Sequence, residues 1–83
     1  VNFTSVHYKQ NALNVTITSG KRGKANLIIF NATGQSIARR TITFEGASKS
    51  EQKMTIPNLQ RGVYFCKIRT DWGRTSSRSF LVP

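Results

Sequence analysis

The chain is poor in the residue types that carry catalytic and metal chemistry. Its 83 residues include three acids, one histidine and one cysteine. One cysteine cannot form an internal disulfide, and one Cys with one His is too few for a zinc site. The three carboxylates, Glu45, Glu51 and Asp71, lie in or beside predicted loops, where charge pairing with nearby cations is their expected role. No catalytic residue, metal site or cofactor is therefore predicted.

Long apolar runs are also absent. The most apolar block, residues 27–30, is far shorter than the roughly 18 residues that a membrane-spanning helix needs. No signal peptide is visible, and the chain begins with Val1. We expect one domain over residues 1–83, monomeric and without a membrane span, excised or processed from a larger protein.

The charge of the chain is one-sided. Thirteen Lys and Arg residues against three acids give a net charge of +10 at pH 7. So strong a field on so small a body favours anionic partners, among them nucleic acid, acidic glycan and a negatively charged cell envelope.

What the sequence does contain is a series of short runs rich in Val, Ile, Thr, Phe and Tyr. Clusters of Gly, Asn and Ser separate them, and helical periodicity is absent. In one run Leu13, Val15 and Ile17 alternate with polar residues, as in a strand with one buried face. The predicted strands cover residues 2–8, 13–18, 24–30, 36–44, 52–56, 62–70 and 74–82. Seven short strands at this spacing predict an all-β fold, a single antiparallel Ig-like β-sandwich.

Two of these strands carry further expectations. Residues 24–30 are apolar on both faces, which predicts a central position in a sheet. In residues 36–44 the apolar face includes Arg40, and a bulge near Arg39 and Arg40 is expected to resolve this conflict. The polar residues 45–50 are predicted to form a loop.

The sixth predicted strand has two different faces. Tyr64, Cys66 and Ile68 form the predicted core face, and they make the cysteine a small buried residue. The opposite face carries Val63, Phe65, Lys67 and Arg69. It is either an exposed sheet face kept soluble by its charge, or an anion-binding strip that Arg39, Thr41 and Thr43 extend.

Trp72 lies in the turn between the last two predicted strands, between Asp71 and Gly73. Its indole either folds back to cap the end of the sandwich or offers a flat face to a sugar ring or a base. In the second case Asp71, Arg69, Arg74 and Lys67 would hydrogen-bond to the ligand, with Phe65 as a further aromatic.

Three segments, in order, resemble the C-terminal sorting domains of the type IX secretion system, also called the Por secretion family. Residues 27–37 (LIIFNATGQSI) are similar to the family's strand, Asn/Asp-x-x-Gly turn and strand. Residues 56–65 (IPNLQRGVYF) resemble its Leu-x-x-Gly-x-Tyr element, and residues 78–82 (RSFLV) resemble its final strand. The resemblance covers about residues 10–83.

The resemblance implies a non-catalytic domain at the C-terminus of a secreted bacterial protein, often a polysaccharide-degrading enzyme. Secretion machinery or the cell envelope would be its partner, and its location would be secreted or on the outer cell surface. The residues that would carry sorting are Gly34, Leu59, Gly62, Tyr64, Arg78, Phe80, Leu81 and Val82.

The basic charge also resembles that of accessory modules of fibre-degrading bacterial glycoside hydrolases. The alternative function is therefore a carbohydrate-binding module that targets an attached glycoside hydrolase to plant cell-wall polysaccharide. Nucleic-acid binding is the least favoured partner class, because the sequence shows no RNP-like motif and no evident pair of aromatic residues on adjacent strands.

Overall fold

Seven strands make up the structure, and no residue lies in a helix. The computed structural model describes residues 1–83, with strands β1 (Asn2–Lys9), β2 (Ala12–Ser19), β3 (Gly23–Phe30), β4 (Ser36–Phe44), β5 (Ser48–Thr55), β6 (Gly62–Thr70) and β7 (Thr75–Val82). All seven predicted strands are present, which confirms the all-β prediction. The chain contains no helix with the length and apolar character needed to cross a bilayer.

The strands form two antiparallel sheets. One has the order β1-β2-β5 and the other the order β4-β3-β6-β7. In immunoglobulin constant-type domains the fourth strand belongs to the same sheet as the first two strands. Here β4 pairs with β3 in the other sheet, where variable-type domains have their extra strands. β3 lies between β4 and β6, which confirms its predicted central position. The molecule is thus an Ig-like sandwich of three strands against four.

Alternating side chains from both sheets fill the space between them. Leu13, Val15 and Ile17 of β2 are buried, as their alternation predicts, and so are Tyr64, Cys66 and Ile68 of β6. The complete core cluster consists of Leu13, Val15, Ile17, Ala25, Leu27, Ile29, Ile42, Phe44, Met54, Tyr64, Cys66, Ile68, Phe80 and Val82. Burial of this apolar surface is the main favourable contribution to folding.

The predicted bulge near Arg39 and Arg40 in β4 is wrong. Both arginines pair regularly with β3, and the register instead shifts near Ile37, at the start of the strand. Arg40 stays on the core-facing side because β4 is an edge strand, where the guanidinium can reach the opposite sheet. Its Nη1 donates to Oε1 of Gln52 at 3.2 Å and to the carbonyl oxygen of Lys53 at 3.0 Å.

β5 begins earlier than predicted. It pairs with β2 from Ser48 onward, so the predicted loop at residues 45–50 is wrong in its second half. Ile56 lies just beyond the strand, where its N–H donates to the carbonyl of Asn11 and its carbonyl accepts a 2.6 Å hydrogen bond from the Tyr8 hydroxyl. β5 is an edge strand with little buried surface, so hydrophobic alternation gives only a weak signal there.

The connections alternate between the two ends of the sandwich. Residues 10–11, 31–35 and 56–61 lie at one end together with Pro83, and we call this the motif end. Val1 and residues 20–22, 45–47 and 71–74 lie at the opposite end, which we call the tryptophan end.

Candidate functional site

Tyr64 fixes the entry into β6 at the motif end. Its hydroxyl donates a 2.7 Å hydrogen bond to the carbonyl oxygen of Gln60, four residues upstream. Its ring stacks on Phe80 of β7, with centroids 5.7 Å apart and planes inclined by 21°. A tyrosine at the start of this strand that bonds back to the preceding loop is the tyrosine corner of immunoglobulin-like sandwiches. The Leu-x-x-Gly-x-Tyr element therefore has a structural role. It forms the tyrosine corner, and its half-buried Leu59 packs against the core.

The turn at residues 31–35 is organised by Asn31. Its Oδ1 accepts hydrogen bonds from the backbone N–H of Thr33 at 3.1 Å, the Thr33 hydroxyl at 2.8 Å and the N–H of Gln35 at 2.9 Å. Gly34 has a φ of 90°, a conformation that favours glycine. The Asn and Gly of this element are thus the two residues that the turn geometry requires.

Most of the residues assigned to sorting meet at the motif end. Residues 31–33 and 60–64 line a shallow groove of about 250 Å³. Gly62 pairs with Val82, and Leu81, which is 65% exposed, lies beside them on the surface. Phe80 and Val82 are buried and hold the end of β7 in place.

Arg78 is the exception among these residues. It pairs with Cys66 in the middle of β7. Its exposed guanidinium makes a long hydrogen bond, 3.5 Å, from Nη1 to the carbonyl of Phe3 in the other sheet. Arg78 therefore links the edge strands β7 and β1 and does not belong to the motif end.

Trp72 folds back over the tryptophan end. It is half-buried and packs against the core, and its six-membered ring lies directly on the backbone of Gly23. The ammonium of Lys21 lies 5.6 Å from the ring centroid, a cation–π contact. The capping role is therefore present, and a sugar stacked on the indole would have to compete with Lys21.

Asp71 closes the same end by joining the turn at residues 71–74 to the start of β3. Its N–H donates to the carbonyl of Lys24 at 2.9 Å, and its Oδ2 accepts from the N–H of Lys24 at 3.3 Å. Beside it runs a groove of about 560 Å³, lined by Val1, Asn2, Ser19, Gly20, Lys21, Trp72, Arg74, Thr75 and Ser76. The lining is mostly polar, so the groove offers hydrogen-bonding groups next to one aromatic ring.

The third region is the outward side of the four-stranded sheet, which we call the outer face. Its members are Lys24, Asn26, Ile28, Phe30, Ile37, Arg39, Thr41, Thr43, Val63, Phe65, Lys67, Arg69, Thr75, Ser77, Ser79 and Leu81. The prediction that adjacent strands carry no evident pair of aromatic residues is wrong. Phe30 of β3 and Phe65 of β6 are directly opposite each other in the register and lie on this face.

The residues assigned to ligand binding do not form one site. Trp72, Asp71 and Arg74 lie at the tryptophan end. Phe65 and Lys67 lie on the outer face, and Arg69 lies at its boundary with the tryptophan end, in a groove that Asp71 shares. All the sorting residues except Arg78 lie at or near the opposite, motif end.

Comparison with known families identifies the fold and its role. The model of the family described as the secretion system C-terminal sorting domain matches residues 9–82. The chain belongs to this family. Comparison with curated proteins gives no match.

A sorting domain of the type IX system is a non-catalytic accessory domain that marks its protein for export to the cell surface or for secretion. The secretion machinery is accordingly its partner. No three His, Cys, Asp or Glu residues of the chain lie close enough together to hold a metal ion. Cys66 is fully buried, and this burial raises the pKa of its thiol to about 11, although a backbone hydrogen bond with Arg78 and the positive charge of Arg78 partly oppose the shift.

The sequence places Asn31 in the turn of the Asn-x-x-Gly element but does not show which hydrogen bonds it accepts. Three further residues that organise the sorting domain were missed. Lys21 and Phe30 could not be found, since their contacts depend on the pairing of distant strands. Gln60 contributes only its backbone carbonyl, and its side-chain type carries no signal for that.

Proposed function

We propose that the domain is the C-terminal sorting and surface-attachment domain of a larger secreted protein and that the secretion machinery reads its motif end. The observation that carries this proposal is the convergence of the family elements: the turn at residues 31–35, the tyrosine corner and the last residues of β7 meet at one end of the sandwich. Gly34 and Tyr64 fix the local backbone, and Leu81 is the most exposed of the large apolar side chains beside them.

In this proposal the buried residues determine the shape of the motif end, and the exposed residues contact the secretion machinery. Leu81 is 65% exposed, and it neighbours Val63 across the register, so its substitution by serine removes contact surface with little loss of core packing. Arg78 is exposed in the middle of the same strand, and β7 is an edge strand of its sheet. Edge strands offer unpaired backbone groups that a partner can bind by strand addition.

A reporter test separates recognition from folding. Residues 1–83 are fused behind a secretory signal and a reporter enzyme in a host with a type IX system. The reporter should reach the cell surface or the medium, and Leu81→Ser should leave most of it in the periplasm. Trp72→Ala at the opposite end is the matched control and should be exported. Equal export of Leu81→Ser and wild type would refute reading at the motif end.

The parent protein is proposed to be a polysaccharide-degrading enzyme, because the sorting domains that the chain resembles often lie at the C-terminus of such enzymes. Hydrolysis of xylan, cellulose or mixed-linkage glucan by the parent protein would support this, and activity confined to proteins or small esters would contradict it.

A second candidate function is carbohydrate binding in the groove at the tryptophan end. The supporting observation is a row of hydrogen-bonding residues, Asn2, Lys21, Arg74 and Ser76, beside the ring of Trp72. In gels that contain xylan, cellulose or mixed-linkage glucan, the wild-type domain should be retarded. Trp72→Ala should lose this retardation and Phe65→Ala, on the outer face, should keep it. Equal retardation of wild type and Trp72→Ala would refute stacking.

A further inference from the structure

The exposed large apolar side chains of the molecule all lie on one face. Ile37, Val63, Phe65 and Leu81 are 36%, 44%, 42% and 65% exposed, and all four belong to the outer face. The outward side of the other sheet has no counterpart, because it carries residues such as Asn14, Thr16, Lys49, Glu51 and Lys53. The sandwich does not require this asymmetry, since polar side chains would serve equally on either outward surface.

Strand pairing arranges the outer face in rows. Leu81 lies opposite Val63, and Phe65 lies opposite Phe30, so these four side chains form an apolar area across β7, β6 and β3. Ile37 adds to it from β4, where the register shift brings it to the surface.

The next row is bordered by cations. Ile28 lies between Lys67 on β6 and Arg39 on β4, each directly opposite it in the register. One row further, Arg69 lies opposite Asn26. The apolar area is therefore flanked by positive charge on the side toward the tryptophan end.

These cations have no acidic neighbours on their own face. None of the three carboxylates of the chain belongs to the outer face, and the one salt bridge, Lys49 to Glu51 at 3.9 Å, lies on the other sheet. A partner that brought carboxylates to Lys67, Arg39 and Arg69 would pair charges that the fold itself leaves unpaired.

Shape and charge together select the class of partner. The outer face is a pleated sheet surface whose grooves lie at its two ends and not over the apolar rows, whereas small ligands are bound in concave pockets. A second copy of the chain would bring another +10 charge against the first. Single-stranded nucleic acid stacks on aromatic rings, but aliphatic side chains (Ile28, Ile37, Val63 and Leu81) outnumber the two phenylalanines here.

We propose that the outer face is a docking surface for a folded protein partner whose matching surface has an apolar centre and Asp or Glu residues toward one side. Apolar area at the centre supplies affinity, and the one-sided row of charges fixes the orientation of the partner. Leu81 and Val63 belong to both surfaces, so the proposal is tested at Phe65, Arg39 and Lys67, which lie outside the motif end.

Site-specific photo-crosslinking tests it. The photoreactive amino acid p-benzoylphenylalanine replaces Phe65 in the exported reporter fusion, and in a matched control it replaces Thr16 on the outward side of the other sheet. After irradiation of cells, the adducts are purified and the crosslinked peptides are identified by mass spectrometry. The expected result is an adduct at position 65 alone, on a protein segment with apolar and acidic surface residues.

Charge reversal provides the second readout. Arg39→Glu combined with Lys67→Glu should reduce the yield of the adduct at least about tenfold, because like charges would then face the partner. Lys49→Glu combined with Lys53→Glu changes the net charge equally on the opposite sheet and should leave the yield unchanged. Export of each fusion is recorded in parallel, which separates loss of docking from loss of sorting.

Four results would overturn the proposal. These are equal adducts at positions 65 and 16, an adduct with a second copy of the chain, an adduct with lipopolysaccharide or nucleic acid in place of protein, and a yield that charge reversal on the outer face does not change. Binding to nucleic acid and to lipid is also tested directly. A fluorescent oligothymidylate and liposomes with anionic lipid are each titrated against the purified domain.

Discussion

The hydroxyl of Tyr64 donates to the carbonyl oxygen of Gln60 across the turn that leads into β6. Tyr64 is buried and Gln60 is exposed, so the bond is part-buried, and removing the donor costs one hydrogen bond at the rim of the core. The bond explains why this element has a tyrosine at a position where phenylalanine would pack equally well against Phe80. It links a sequence element of the sorting family to the stability of the motif end.

Tyr64→Phe should therefore destabilise the domain while preserving the stack on Phe80. The expected loss is about 0.5–1.5 kcal/mol, the usual net contribution of one intramolecular hydrogen bond. For a domain of this size each kcal/mol lowers Tm by about 4–8 °C. Thr41→Ala is the matched control, since it removes an exposed side-chain hydrogen bond to Asn26 on the domain surface. Thermal unfolding followed by circular dichroism should place Tyr64→Phe well below that control, and equal Tm values would show that the corner bond contributes nothing.

The turn at residues 31–35 should depend on the acceptor oxygen of Asn31. Asn31→Ala removes Oδ1 and its three hydrogen bonds, and the loss should be about 1–3 kcal/mol. Asn31→Asp keeps an acceptor oxygen and loses only the bond from Nδ2 to Gln35, so it should cost less. Urea denaturation of both variants measures the difference. If Asn31→Asp were as unstable as Asn31→Ala, the acceptor would not be the important group.

The strands and most of the core could be predicted from the sequence because alternation of apolar and polar residues reflects burial directly. β2 and β6 are the clearest cases, since one face of each is sealed inside the sandwich. At the edge strands that relation weakens. β5 buries little beyond Met54, and Arg40 in β4 lies on the core-facing side yet reaches the opposite sheet.

The candidate sites were less predictable because they depend on which strands become neighbours. Phe30 can pair with Phe65 only because β3 lies beside β6, and no local sequence pattern predicts that these two strands are neighbours. The sequence does not decide between the two roles of Trp72, because its ring contacts Gly23 at the start of β3, which is distant in sequence. The motif residues were found by resemblance, and their physical roles became visible only in the hydrogen bonds of Asn31 and Tyr64.

Gly23 should be one of the least replaceable positions at the tryptophan end. A Cβ at this residue would lie 2.7 Å from Cε3 of Trp72, and the φ of 149° is itself strained for other residues. Gly23→Ala should cost about 2 kcal/mol or more. Gly20→Ala, in the same loop, has open space around it and should change stability by no more than about 0.5 kcal/mol.

A double-mutant cycle separates the two causes at Gly23. Because Trp72→Ala removes the ring that the new methyl group would meet, Gly23→Ala should cost less in that background than in the wild type. The remaining cost would report the backbone strain. If the losses in the free energy of unfolding were additive, the indole would move aside freely, and its contact with Gly23 would not contribute to stability.

The thiol of Cys66 should make stability fall at alkaline pH. Below its ordinary pKa of 9.0 the thiol is protonated in both the folded and the unfolded chain, so it has no effect on the pH dependence. Above that value the unfolded chain releases the proton while the folded chain retains it up to a pKa of about 11. The free energy of unfolding should therefore decrease across this window, by roughly 2–3 kcal/mol in total. Cys66→Ala provides the comparison, because every other pH-dependent contribution to stability is common to both proteins. Urea denaturation between pH 8 and about 11 should give a steeper decline for the wild type than for Cys66→Ala, and parallel curves would mean that the thiol ionises without opening the core.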